Sequence, residues 1–116
     1  MVQGAAGSSR ADGRADMERA AELLADELNA PVHHGFIAAI DPKFHEVVAE
    51  HKPEFAATYL LAEGFFAGKM RRDAASTGLP VKVATPLVNA QDSAAAAVVA
   101  ECFIDRMDAA IAQLDA

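Results

Sequence analysis

The sequence predicts an α/β fold in which a four-stranded parallel sheet is flanked by helices. Three short apolar runs, Val32–Ala38, Ala57–Ala62 and Val81–Leu87, each end at a turn marked by Gly or Asp. Each turn opens a segment with helical spacing of apolar residues, so strand and helix alternate. A fourth such turn, Gly4-Ala5-Ala6-Gly7-Ser8-Ser9-Arg10, stands near the N-terminus. Alternation of this kind builds βαβ units and a parallel sheet. Open sheets of that type bind ligands outside the carboxyl ends of their strands. The 116 residues suit a single domain spanning 1–116.

Taken in order, Met1–Gln3 is the stub of a first strand, and Gly4–Gly13 reads as a Gly/Ser/Ala loop. Helix one spans Arg14 to Asn29, because Met17, Ala20, Ala21, Leu24 and Leu28 recur on one face. Asn29 and Pro31 stop it. After the second strand, Asp41-Pro42 reads as an N-cap followed by proline at the first helical position. Phe44, Val47 and Val48 form the core face of that helix, and Pro53 ends it. Beyond the third strand, Gly64 and Gly68 loosen the backbone ahead of a helix through Arg71–Ser76, which Gly78 and Pro80 terminate. The last helix runs from Asp92 to Leu114, capped by Asp92 or Ser93. Val99, Phe103, Met107, Ala110 and Leu114 are its expected inward stripe.

Composition narrows the function classes. A net charge of −7 argues against nucleic acid or an anionic membrane as partner, since both call for a basic face. No apolar stretch is long enough to span a bilayer, and the opening residues do not read as a signal peptide, so a soluble cytoplasmic protein is expected. The lone cysteine, Cys102, excludes an internal disulfide and falls in a helical apolar pattern, where it reads as a small core residue.

Few polar residues stand where such a sheet binds ligands. Gly7-Ser8-Ser9-Arg10 offers backbone N–H groups and hydroxyls near a helix start, which suits a carboxylate or phosphate, although it also reads as a plain Gly/Ser connection. Lys69, Arg71 and Arg72 form a basic knot in an acidic chain, suited to a carboxylate-rich ligand or to a solvated face at a helix start. Glu63 ends an apolar strand and can serve as proton acceptor, metal ligand or loop hydrogen-bond partner. Thr85 and Asn89 through Gln91 supply the fourth group. His33 and His34 fall at the other end of the sheet and, being adjacent in a strand, point to opposite faces.

These segments resemble the small sirohydrochlorin chelatases. Gly7-Ser8-Ser9-Arg10 looks like the end of that family's His-Gly-Ser-Arg opening. Val32–Pro42 is similar to its second-strand segment, Ala62–Asp73 to its Gly-x-His segment ending in Asp, and Thr85-Pro86-Leu87 with the following helix to its last βα unit. The resemblance implies a three-layer chelatase-like fold that inserts divalent cobalt or iron, as substrate metal, into a tetrapyrrole on routes to cobalamin or siroheme. It implies a homodimer with the tetrapyrrole in a cleft and no tightly bound cofactor. The family's histidines fall on Ala6 and on Lys69 or Met70, and its strand-two glutamate falls near Ala38 or Ala39. On this reading Gly7, Ser8, Ser9, Arg10, Gly68, Arg71 and Arg72 bind substrate. Glu63 and Lys69 are then the catalytic candidates, with Glu63 as replacement base or metal ligand. A chelatase-like module that binds tetrapyrrole or a partner protein without catalysis is the other expectation, and a domain binding a phosphorylated small molecule through the Gly/Ser loop is a third.

Overall fold

The computed structural model describes residues 1–89 and 93–114. Eight elements alternate: β1 (Val2–Ala5), α1 (Ala11–Leu28), β2 (His33–Phe36), α2 (Phe44–His51), β3 (Phe55–Tyr59), α3 (Phe65–Ser76), β4 (Lys82–Val83) and α4 (Ser93–Leu114). The strands form one parallel sheet in the order β2-β1-β3-β4. The expected α/β class is therefore the observed one. Among the described residues no helix is long and apolar enough to cross a membrane.

β1 is longer than the stub expected and lies inside the sheet, with Val2 opposite both His33 and Ala56. Its continuation through Gly4 depends on the missing side chain. A Cβ there would stand 2.8 Å from both Met70 Cε and Phe44 Cδ1, so a side chain would have to push back the residues that α2 and α3 pack on the strand. β1 sorts its residues by the two-residue period of a strand. Val2 packs with Phe44, Val48 and Met70 of α2 and α3, whereas Ala5 packs with Met17 and Phe36 on the α1 side. The α2/α3 side holds the larger cluster, including the fully buried Val2, Phe44, Val48 and Met70. Each such side chain contributes about 1.5–3 kcal/mol relative to exposure, so this face is the main source of stability.

Several boundaries move for identifiable reasons. α1 begins at Ala11, and Asn29 ends it in a left-handed conformation at φ 52°. Leu28 of the expected inner stripe is exposed, at the last residue of the helix. α2 is capped by Lys43, not Asp41. The Pro42 carbonyl accepts the Phe36 N–H at 2.8 Å, which holds the chain in the sheet for two residues more. Gly68 is not a loosened approach to α3 but lies within it. Lys69, Arg71 and Arg72 are consequently mid-helix, and the expected cluster of cations at a helix start does not form. The expected caps of α4, Asp92 and the Ser93 side chain, lie outside the described residues, as does Gln91.

α4 departs most from expectation. Only Val99 and Phe103 of its stripe turn toward the rest of the chain, beside Leu61 and Leu87, and every residue from Ala100 to Leu114 is exposed. Phe103, Met107 and Leu114 are 55%, 61% and 85% exposed. Cys102 is exposed with them and is not a core residue. Helical spacing decides which residues share a face but not what that face meets. α1 covers β1 and β2 only, so Phe55, Tyr59 and Leu61 on the same side of the sheet stay about half exposed. The projecting helix lengthens the molecule to 54 × 34 × 30 Å with a radius of gyration of 15.5 Å, against about 13 Å for a compact chain of this length.

Candidate functional site

Chain direction across the sheet reverses at β1: the first crossover leads to β2 on one side, and the second returns past it to β3 on the other. Ligand crevices in open α/β sheets form at such a switch point. A hollow of about 200 Å³ occupies it here, lined by Ala5, Gly7, Ser8, Met17, Phe36 and Tyr59. Tyr59 also walls a second hollow of about 260 Å³ with Leu60, Leu61 and Leu87. Leu61 and Leu87 in turn wall a third, of about 230 Å³, with Val99, Cys102, Phe103 and Arg106 of α4. Taken together as a trough, the three hollows adjoin through these shared wall residues, with Ser8 lining the first and Arg106 the third.

The Gly7–Ser8 end is built by close backbone approach. Gly7 has φ 98°, and a Cβ on it would collide with the Ala38 carbonyl oxygen. Ser8 Oγ accepts the Arg10 N–H at 3.1 Å, and Arg10, at the N-cap of α1, adds no side-chain cap of its own. Opposite, the Ile40 N–H donates to the Ala38 carbonyl at 2.9 Å, with Ala39 between them at φ 73°. Such left-handed alanines cost on the order of 1–2 kcal/mol, so the strain stands beside the hollow.

The expected site residues divide into three groups. Gly7 and Ser8 line the trough, while Ser9 is exposed beside them. The Arg10 guanidinium turns to Asp12, with two contacts of 3.1 Å, and is largely in solvent. Lys69 reaches toward the same edge: its Nζ donates to the Ile37 carbonyl at 3.3 Å, one residue from the carbonyl that Gly7 abuts, and to Asp73 Oδ2 at 2.8 Å. Glu63 is held by Arg71, whose nitrogens donate to both carboxylate oxygens at 3.3 and 2.9 Å. That hydrogen bond raises the Arg71 pKa above its ordinary value. The Arg72 guanidinium runs back along α3 over Gly68. Gly68, Glu63 and the three cations are not among the residues lining the trough.

Among the described residues no three His, Cys, Asp or Glu side chains gather as a metal site. A divalent substrate metal at Glu63 would meet one carboxylate already neutralised by a guanidinium.

His33 and His34 stand at the opposite end of the sheet, as their position in β2 predicts. His33 stacks on His51 of α2 with ring centroids 3.6 Å apart and planes 6° from parallel. His34 turns to the other face, its Nε2 3.7 Å from Glu18 of α1. Burial lowers the His33 pKa below its usual 6.5, helped by His51 and the N-terminal ammonium.

Tyr59, Phe36 and Met17 are the lining residues that a search for polar groups passes over, together with the wall from Leu61 to Arg106. Tyr59, the lone tyrosine, carried a usable signal: it lies within the third apolar run, whose carboxyl end a parallel sheet presents to ligands. No protein-family description matches this chain, nor is any curated protein or solved structure significantly similar to it.

Proposed function

We propose that the trough binds a flat, carboxylate-bearing tetrapyrrole of the sirohydrochlorin type, without inserting a metal into it. The observation that carries this reading is the set of wall residues that neighbouring hollows share, Tyr59 between the first and second and Leu61 with Leu87 between the second and third. Singly they are smaller than ordinary ligand sites, which run to roughly 300–1,000 Å³; joined, they fall in that range. A macrocycle lying in the trough sets its π face against Tyr59 and the leucines. Its peripheral carboxylates then reach the Ser8 end, where α1 begins, and the Arg106 guanidinium at the far end.

Metal insertion asks for more: a base must take the pyrrole protons while cobalt or iron is delivered. Glu63, the candidate base and metal ligand, is already paired with Arg71, and Lys69 with Asp73. These pairings favour binding over catalysis. The alternative is insertion of Co2+ or Fe2+ with Glu63 freed from Arg71.

Titration with a carboxylated porphyrin, followed by its absorption band, tests the proposal. Saturable binding is expected, weakened about tenfold or more by Tyr59→Ala, a loss of about 1.4 kcal/mol. Cobalt insertion into the bound macrocycle is expected at the spontaneous rate. Acceleration that Glu63→Gln abolishes would establish the insertion reading instead. Absence of porphyrin binding removes both.

A further inference from the structure

Two apolar surfaces of this chain adjoin at one corner and are otherwise bare. On the α1 side of the sheet, Phe55, Tyr59 and Leu61 project from β3 and its continuation, each about half exposed. A sheet face of this kind is buried when a layer of helix covers it. The stripe of α4 is such a layer, left unclosed. Val99 and Phe103 stand beside Leu61 and Leu87. Beyond them the stripe passes into solvent, with exposure rising from 55% at Phe103 through 61% at Met107 to 85% at Leu114.

The two surfaces fit each other in length, pattern and charge. From Phe103 to Leu114 the helix rises about 16 Å, and from Leu61 back to Phe55 the strand runs about 20 Å. With Phe103 kept at Leu61 as pivot, a helix laid back along β3 brings Met107 to Tyr59, Ala110 to the small Ala57, and Leu114 to Phe55. Glu101, Asp105 and Asp108 then share the outer side, at roughly 140–160° from the stripe, so no carboxylate is buried. The far end supplies a cation. Lys82 of β4 holds its Nζ 5.5 Å from the centre of the Phe55 ring. α4 carries no basic residue in its last turn. Closure sets the C-terminal carbonyls of the helix near Lys82, where a positive charge is favourable.

We propose that α4 is an autoinhibitory strap, which in the ligand-free chain closes along β3 over Tyr59 and Leu61 and so competes with the trough ligand. The competition rests on the tetrapyrrole reading above, because Tyr59 and Leu61 are the surface that reading gives to the macrocycle. The closure itself does not rest on it. A ligand binds only the open fraction, and its apparent affinity falls by that fraction.

Small-angle X-ray scattering of the full chain, extrapolated to zero concentration, tests closure, and titration with a carboxylated porphyrin tests the competition. Met107→Glu puts a charge into the stripe and holds the strap open. Its radius of gyration is expected to exceed that of the native chain by about 2 Å, the difference between the extended form and a compact chain of this length. Porphyrin is expected to bind this variant several-fold more tightly, a gain that damage to the fold does not produce. Phe55→Cys with Leu114→Cys, in a Cys102→Ser background, is expected to form a disulfide within the monomer and to weaken porphyrin binding about tenfold or more, a loss of about 1.4 kcal/mol, until reduced. Equal radii for the native chain and Met107→Glu overturn closure, as does a cysteine pair that forms no disulfide within the monomer. A disulfide-closed chain that binds porphyrin as tightly as its reduced form overturns the competition. A native chain and a Met107→Glu variant that both bind no porphyrin remove the trough reading instead, and closure is then decided by the scattering and the disulfide.

Discussion

Gly7 lies so close to the carbonyl oxygen of Ala38 that any side chain at position 7 would overlap it. The contact joins the loop after β1 to the segment after β2, and so shapes one end of the trough. Gly7→Ala meets both this clash and an unfavourable backbone at φ 98°. Its expected cost is about 1–3 kcal/mol or more, read as a lower urea midpoint, with weakened porphyrin binding in whatever protein remains folded.

Ala39 is the converse case. It holds φ 73° with a side chain attached. Ala39→Gly relieves strain on the order of 1–2 kcal/mol and gives back about 0.4–1 kcal/mol through the freer unfolded chain. Strain relief is the larger, so the urea midpoint is expected to rise.

Met70 is fully buried, next to Phe44, and fills the space that Gly4 leaves. Met70→Ala opens a cavity between α3 and the sheet, and the expected loss is about 2–5 kcal/mol. Gly4→Ala in the same background should be better tolerated than in the native chain, since the new methyl enters vacated space. A double-mutant cycle on urea denaturation reads the coupling.

The stacked histidines set a pH dependence. His33 has a folded pKa below its unfolded value of 6.5. As pH falls through 6.5 the unfolded chain takes up this proton before the folded one does, so stability is lost on acidification and restored on return to neutral pH. The loss ends once pH lies below the folded pKa. His33→Phe keeps an aromatic ring over His51 and removes the titration. Denaturation midpoints between neutral and mildly acidic pH should fall less steeply for this variant than for the native chain.

The two ion pairs on α3 differ in what their removal exposes. Glu63 and Arg71 are each about half exposed, so Glu63→Gln should leave the urea midpoint unchanged and insensitive to salt. The Asp73 side chain is 20% exposed, and its partner Lys69 also reaches the Ile37 carbonyl. Lys69→Ala strands both acceptors, and a loss of about 1–2 kcal/mol is expected in the same measurement.

Local chemistry made much of the fold legible. The apolar runs and the turns after them predicted four parallel strands between helices, because strand and helix periods depend on residues a few positions apart. Asn29 stopped α1 and Gly78 followed α3 for equally local reasons, since both adopt positive φ. Of the expected site, Gly7 and Ser8 were within reach, because a glycine-marked turn after a strand lies by topology at the sheet's binding edge. Tyr59 and the leucines were passed over, because apolar residues read as core until the fold leaves them bare.

Long-range partners decided the rest. Sequence could place Glu63 and Lys69 near the ends of strands, but only the folded chain brought Arg71 onto Glu63 and the Ile37 carbonyl onto Lys69. It could draw stripes along α4, but whether a stripe meets its own sheet or projects from it depends on which surfaces α1, α2 and α3 have already covered. Spacing along a helix fixes which side chains share a face. What that face touches follows from competition among segments distant in the chain, and that is settled only when all of them pack together.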